Sequence, residues 1–197
     1  MISPSLDIGA ELSDAVAEYH AHADVASLHA RLSVITANAS AASLLAAAEP
    51  YRGIPEVAGV LYDRIVELRP TDARSIVILA NAYWLAGRGP DVVGELAARA
   101  LAADPSNRAA WHLWALTEPS PRQRTVRWEQ VAARFPDDDL ARANLADNAA
   151  SLAGAEHDPV ALKLAISTYE DLLRRAEHEA QRDALERALA TLRGWRL

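Results

Sequence analysis

Cysteine is absent from this sequence, and that removes disulfides, thiolate nucleophiles and cysteine-based zinc sites together. Aromatic residues are scarce, 6% of the chain with a single Phe, whereas 51% of residues are apolar and alanine dominates many stretches. So little bulk and so much alanine favour closely packed helices over strands. No Lys/Arg block occurs and the formal charge is −7, a balance that opposes holding a phosphate backbone; nucleic acid is not an expected partner. No run approaches the roughly 18 apolar residues of a membrane span, and the start, Met1 to Asp7, has neither a basic region nor an apolar core of a leader. The chain reads as soluble and cytoplasmic, with no membrane partner. Also missing are a glycine-rich phosphate loop, a Gly-x-Ser-x-Gly elbow and a His-Glu-x-x-His helix. The expectation is therefore a protein that is not an enzyme, with no catalytic residue, no metal and no cofactor.

What is present is a rhythm in the prolines. Pro55 and Pro70, Pro90 and Pro105, and Pro121 and Pro136 form pairs with a 15-residue separation, recurring 35 and then 31 residues apart. Proline suits the first turn of a helix and is hostile to its interior, so each pair brackets one helix. Gly53-Ile54, Gly89 and Ser120 precede the leading prolines, and Asp158-Pro159 starts a fourth helix in the same way. Apolar residues follow helical spacing inside each bracket: Leu61, Tyr62 and Ile65; Val93, Leu96 and Ala97; Trp128 and Val131; then Leu162, Ile166 and Tyr169. Cap formers follow each closing proline, namely Thr71-Asp72, Ser106-Asn107 and Asp137-Asp138-Asp139. They open further helices over roughly 73–87, 107–118 and 139–155, and apolar periodicity places another first helix over roughly 38–49. Connections this short make successive helices antiparallel.

Leu79-Ala80-Asn81-Ala82-Tyr83-Trp84-Leu85-Ala86-Gly87, with the closing Ala100-Leu101-Ala102-Ala103-Asp104-Pro105, resembles the tetratricopeptide repeat, a helix-turn-helix unit of about 34 residues. Leu45-Ala46 with Gly53, and Leu145-Ala146, repeat parts of the pattern. The third unit departs from it through Trp111, Trp114 and a shortened turn at Glu118-Pro119-Ser120-Pro121. The fourth lacks a closing proline and is expected to continue as helix through Arg174-Arg175-Ala176. The resemblance implies an all-α fold, a right-handed solenoid of antiparallel helix hairpins with about four repeats over 39–176. N-terminal helices within 1–38 are expected to pack on the array. A C-terminal helix and tail over 177–197 are expected to cap it.

Residues with chemical potential have plainer readings. His20, His22 and His29 lie in one segment, but His20 and His22 point about 200° apart on a helix and cannot chelate together. His112 sits between Trp111 and Trp114 with no carboxylate one turn away to orient it as a base. Asp137, Asp138 and Asp139 read as caps. Arg122, Arg124, Arg127 and Arg134 are spread around one helix and read as a solvated, salt-bridged face. The tryptophans Trp84, Trp111, Trp114 and Trp128 are suited to fill gaps between helices, the default reading, or to anchor a partner. Trp195 lies beyond the last helix, positioned to dock on the cap or on a neighbouring chain.

The family resemblance further implies a concave groove lined by the first helix of each pair, which holds an extended peptide or a partner helix. Matching the repeats onto one another points Ser43, Arg74, Val77, Asn81, Trp84, His112, Leu116, Asp147 and Ser151 toward that groove. The implied function is a non-catalytic interaction module, an adaptor, scaffold or chaperone-like protein binding a protein or peptide. The alternative is a structural subunit that forms homo-oligomers through its terminal helices. Asn81 resembles the Asn with which chaperone-tail binders clamp a terminal carboxylate, yet Val77, Ala109 and Leu113 stand where that clamp carries cations. Calorimetric titration with an acidic C-terminal peptide, as free acid and as amide, is therefore expected to show no carboxylate-dependent binding. Tight binding of the free acid alone would overturn this.

Overall fold

The computed structural model describes residues 7–37 and 39–196. Residues 1–6, on which the reading of the chain's start and the first positions of the expected N-terminal helices fall, lie outside the described residues, as do Asn38 and Leu197. Among the described residues there are eleven α-helices, one turn of 3-10 helix and no strand. The chain forms two compact units, one ending at Leu113 and the other beginning at Trp114.

Three alternate turns share one construction. The residue before each closing proline lies outside the helical region, Arg69 at φ −134°, Asp104 at −143° and Phe135 at −121°, because proline's Cδ crowds its neighbour out of it. Each of these residues still donates its N–H to the carbonyl of the preceding turn, on Ile65 (2.8 Å), Ala100 (2.8 Å) and Val131 (3.0 Å). Two residues past the proline, an Asp or Asn opens the next helix. Asp72, Asn107 and Asp138 accept the amides of Ser75 (3.3 Å), Ala110 (3.1 Å) and Ala141 (3.1 Å). Each thus satisfies a donor that a helix start leaves unpaired.

In the first unit the helices pair as α1 (Ile8–His22) with α2 (Val25–Ala37), α3 (Ala41–Ala48) with α4 (Pro55–Leu68), and α5 (Ala73–Leu85) with α6 (Pro90–Ala103). Pro55 and Pro90 occupy the first helical turn, as the proline spacing predicts. Gly87 and Gly89 adopt φ of 71° and 88° between α5 and α6, a left-handed backbone that glycine enters without a Cβ clash. The N-terminal pair is a further antiparallel hairpin, laid with α2 on α4 and α1 on α3. Leu12, Leu28, Leu32, Leu44, Leu61, Ile65 and Ile76 are fully enclosed in this unit. Each such side chain contributes roughly 1.5–3 kcal/mol relative to exposure. Helix α7 (Arg108–Leu116) carries the chain across the unit boundary.

The second unit contains α8 (Pro121–Arg134), α9 (Asp139–Glu156), α10 (Pro159–Arg175) and α11 (Glu179–Arg193), each packed on the next. Its interior is rich in alanine: Ala141, Ala146, Ala149, Ala153 and Ala165 have no exposed surface, and their small side chains let α9 and α10 approach closely. Arg142 is buried among acceptors, with Asp171 at 2.9 Å, Asp139 at 3.1 Å and the carbonyl of Pro136. Its charge is compensated on every donor face, which a buried guanidinium requires.

One feature departs from the expected layout and another settles an alternative within it. Helix α10 stops at Arg175, and Ala176 is extended (ψ 120°) rather than helical. The break lets α11 fold back, where Leu189 and Leu192 become buried, so packing ends the helix without a proline. Trp195 docks within its own unit, on a cluster of Ala149, Ala165 and Leu192, the last in the terminal helix, and on a second of Leu152, Ala153 and Ala161. Gly154 makes room for it, since a Cβ there would stand 3.2 Å from the indole.

Asp138 is the cap most enclosed by the fold, at 7% exposure, whereas Asp137 is exposed. Asp138→Ala is expected to cost about 1–2 kcal/mol, and Asp137→Ala to stay within about 0.5 kcal/mol. Urea unfolding followed by helix circular dichroism checks both. Equal midpoints for the two variants would contradict the capping role.

Candidate functional site

The residues expected along the groove divide between the two units: Ser43, Arg74, Val77, Asn81, Trp84 and His112 fall in the first, and Leu116, Asp147 and Ser151 in the second. Within the first unit, α5 carries the most complete surface. Arg74 and Asn81 lie two turns apart on one exposed face, with Trp84 and Leu85 extending it toward the helix C-terminus. Trp84 is 37% exposed and Leu85 69%. Val77, on the other hand, is buried in the unit's core and offers a partner little surface.

Arg74 is held rather than free. Its guanidinium meets Glu49 at 2.7 Å, and the same carboxylate oxygen accepts from Arg52 at 2.9 Å. Glu49 and Arg52 follow α3, so this cluster ties the start of α5 to the end of α3. Beneath it is Tyr62, whose hydroxyl is enclosed without a hydrogen-bond partner. Burial first, and then the Glu49 carboxylate, raise the Tyr62 phenol above its ordinary pKa. Apolar periodicity passes over Glu49 and Arg52 because they lie in a turn. Their separation of three residues is the only local signal of the pair. Ser43 is exposed but committed to the α3 cap, its amide donating to Ser40 Oγ at 3.2 Å. His112 is half-buried in α7, beside Trp111, whose indole N–H donates to the Pro105 carbonyl at 2.9 Å.

In the second unit, Leu116 is half-buried at the end of α7. Asp147 and Ser151 are exposed on successive turns of α9, Ser151 Oγ donating to the Asp147 carbonyl at 2.8 Å. The Asp147 side chain accepts from the Tyr169 hydroxyl of α10. Burial, followed by this bond to Asp147, pushes the Tyr169 phenol up strongly. The shift favours the neutral, donating form of the phenol.

The arginines of α8 are engaged by the unit itself. Arg122 pairs with Glu156 (2.5 Å) and Asp158 (3.0 Å), Arg124 donates to Asn148 (2.8 Å) and to the Glu118 carbonyl (3.0 Å), and Arg127 binds Glu118 (2.6 Å) while stacking on Trp114 (4.4 Å). Arg134 lies against the Phe135 ring at 5.8 Å. The salt-bridged reading of this helix describes Arg122 and Arg127 well, but Arg124 and Arg127 are half-buried linkers rather than solvated groups. The tryptophans also differ among themselves: Trp128 is buried, Trp114 is half-buried under Arg127, and Trp84 faces outward. At the N-terminal histidines, Glu18 is paired with Arg31, and His29 Nε2 lies 3.1 Å from the Glu56 carbonyl. Among the described residues no three acidic or histidine side chains converge as metal ligands, and no helix is long and apolar enough to cross a membrane.

No family model and no curated protein matches the chain. Solved structures do. Two crystal structures of MamA are similar to it, one at 18% identity and TM-score 0.60, covering 82% of this chain and 96% of that one. The other has 16% identity and TM-score 0.57, covering 87% and 97%. TTC0263, a thermophilic TPR protein in Thermus thermophilus, is similar at 15% identity and TM-score 0.58, covering 94% of this chain and 98% of that chain. Likeness at such low identity speaks to the backbone and not to the residues on its surface. Taken with the proline-bracketed hairpins, it establishes that this chain has a tetratricopeptide-like, all-α helical-repeat fold.

Proposed function

We propose that this chain is a non-catalytic protein-interaction module, an adaptor or scaffold, that takes an extended peptide or a partner helix on its first helices. The observation that carries the reading is the outward face of α5, where Trp84 stands 37% exposed among Arg74, Asn81 and Leu85. A partly exposed Trp beside an unengaged amide is the kind of anchor that dominates binding energy at protein interfaces. Arg74, already oriented by Glu49, would present its remaining donors without a further ordering cost. The Asp147 and Ser151 face of α9 supplies polar contacts of the same sort in the second unit. No pair of these side chains forms a nucleophile with its base, which favours binding over catalysis.

Affinity capture with the wild-type chain, repeated with Trp84→Ala and Asn81→Ala and followed by titration of the captured partner, tests this reading. Trp84→Ala is expected to weaken binding by about 30-fold or more, the effect of a hot-spot truncation near 2 kcal/mol. Equal affinity for wild type and both variants would remove the assignment.

The self-assembling alternative has its own support in Val34, 75% exposed on α2, at the N-terminal end of the array. It requires a mass that rises with concentration in light scattering.

A further inference from the structure

The first unit also carries a surface formed mainly by the second helix of each pair, α2, α4 and α6. A groove of about 600 Å³ runs between α2 and α4, with Val25, Gly59 and Val60 as its apolar part. A second groove of about 280 Å³ lies between α4 and α6, floored by Leu79 and Leu96. The two meet at Asp63 and Tyr83, which line both. Gly59 lies beside the Tyr83 ring at the junction, where a methyl group would make ordinary contact with it at 3.7 Å.

The charge along this trough is predominantly negative where it is not ion-paired. Glu67 is neutralised by Arg64 at 2.8 Å, and Arg88 is drawn over the Tyr83 ring at 4.7 Å. Glu56, Asp63 and Glu95 also line the grooves, and among the described residues none of the three is ion-paired; Arg99 is a further cation at the rim. Aliphatic surface remains open beside these carboxylates, with Val25 39% and Val92 42% exposed. The Tyr83 phenol reports the same field. Burial and then the Asp63 carboxylate raise it above its ordinary pKa, so it remains a protonated donor to Asp63.

We propose that the trough formed by α2, α4 and α6 is a second docking surface, and that its occupant is a basic, amphipathic segment of another protein. An arginine of that segment lies against Asp63 and Glu95, and its aliphatic residues rest on Val25 and Val60. Carboxylates without an internal cation beside an apolar floor fit a segment whose cations and aliphatic side chains share one face. The surface is distinct from the face around Trp84, because Tyr83 and Trp84 project about 100° apart on α5.

The probe is a helix-forming peptide of about 16 residues carrying arginine and leucine on one face, with a twin in which glutamate replaces arginine. Fluorescence anisotropy with the full chain is expected to show saturable binding of the arginine peptide only, weakening as ionic strength rises from about 0.05 to 0.5 M. Asp63→Asn with Glu95→Gln keeps an acceptor for Tyr83 and should weaken binding about 10-fold or more. Ser33→Arg places the protein's own cation at an exposed position of the groove and should do the same. Trp84→Ala should bind as wild type does. Melting curves of the variants confirm that each is folded. No saturable binding, equal binding of the glutamate twin, or full binding by the folded variants overturns the proposal. Loss with Trp84→Ala alone would assign the peptide to the α5 face, rejecting this surface while leaving the other standing.

Discussion

A residue that precedes proline is held out of the right-handed helical region, and three helices of this chain end where that restriction acts. Arg69, Asp104 and Phe135 are non-helical for this reason. Two residues beyond each proline, Asp72, Asn107 and Asp138 convert the turn into a new helix by accepting an orphan amide. The reversal is tight, so each helix packs on its sequence neighbour, and the apolar stripes on both have one place to go. The hairpins, their cores and the faces left outward all follow from that geometry.

The two units reach stability by different means. In the first, Leu12, Leu32, Leu61 and Ile65 fill the space between helices, and the dominant gain is apolar area removed from water. In the second, alanine brings α9 and α10 close, and charged groups bridge the rest. Arg142 binds Asp139 and Asp171, Arg122 binds Glu156 and Asp158, and Arg127 binds Glu118. A desolvated guanidinium is tolerated only when its donors are matched, so the buried Arg142 and half-buried Arg127 are consumed by the fold, while Arg122 is an exposed ion pair. These three arginines consequently offer little to an outside anion.

Helix α5 links the two surfaces argued for the first unit. Asn81 and Trp84 lie on its outward face, whereas Leu79 and Tyr83 belong to the trough beside α4 and α6. Adjacent residues serve different surfaces because a helix turns about 100° per residue. The same helix is anchored at its start by Arg74 on Glu49. Both surfaces therefore rest on a support fixed at the end remote from Trp84.

Element order and boundaries were legible in the sequence, because proline, glycine and cap residues act on their immediate neighbours. Pro55, Pro90, Pro121 and Pro159 mark helix starts by local sterics alone. The same logic missed the break at Ala176, since no neighbouring residue demands it; the burial of Leu189 and Leu192 does. The candidate site was legible only in part. Repeat matching placed Arg74, Asn81 and Trp84 on one helix face, but it could not tell that Val77 is enclosed, that Glu49 holds Arg74, or that Tyr169 engages Asp147. Which side chains are already spent on one another, and which remain for a partner, depends on residues more than 20 positions apart. Only the packed helices bring those residues together.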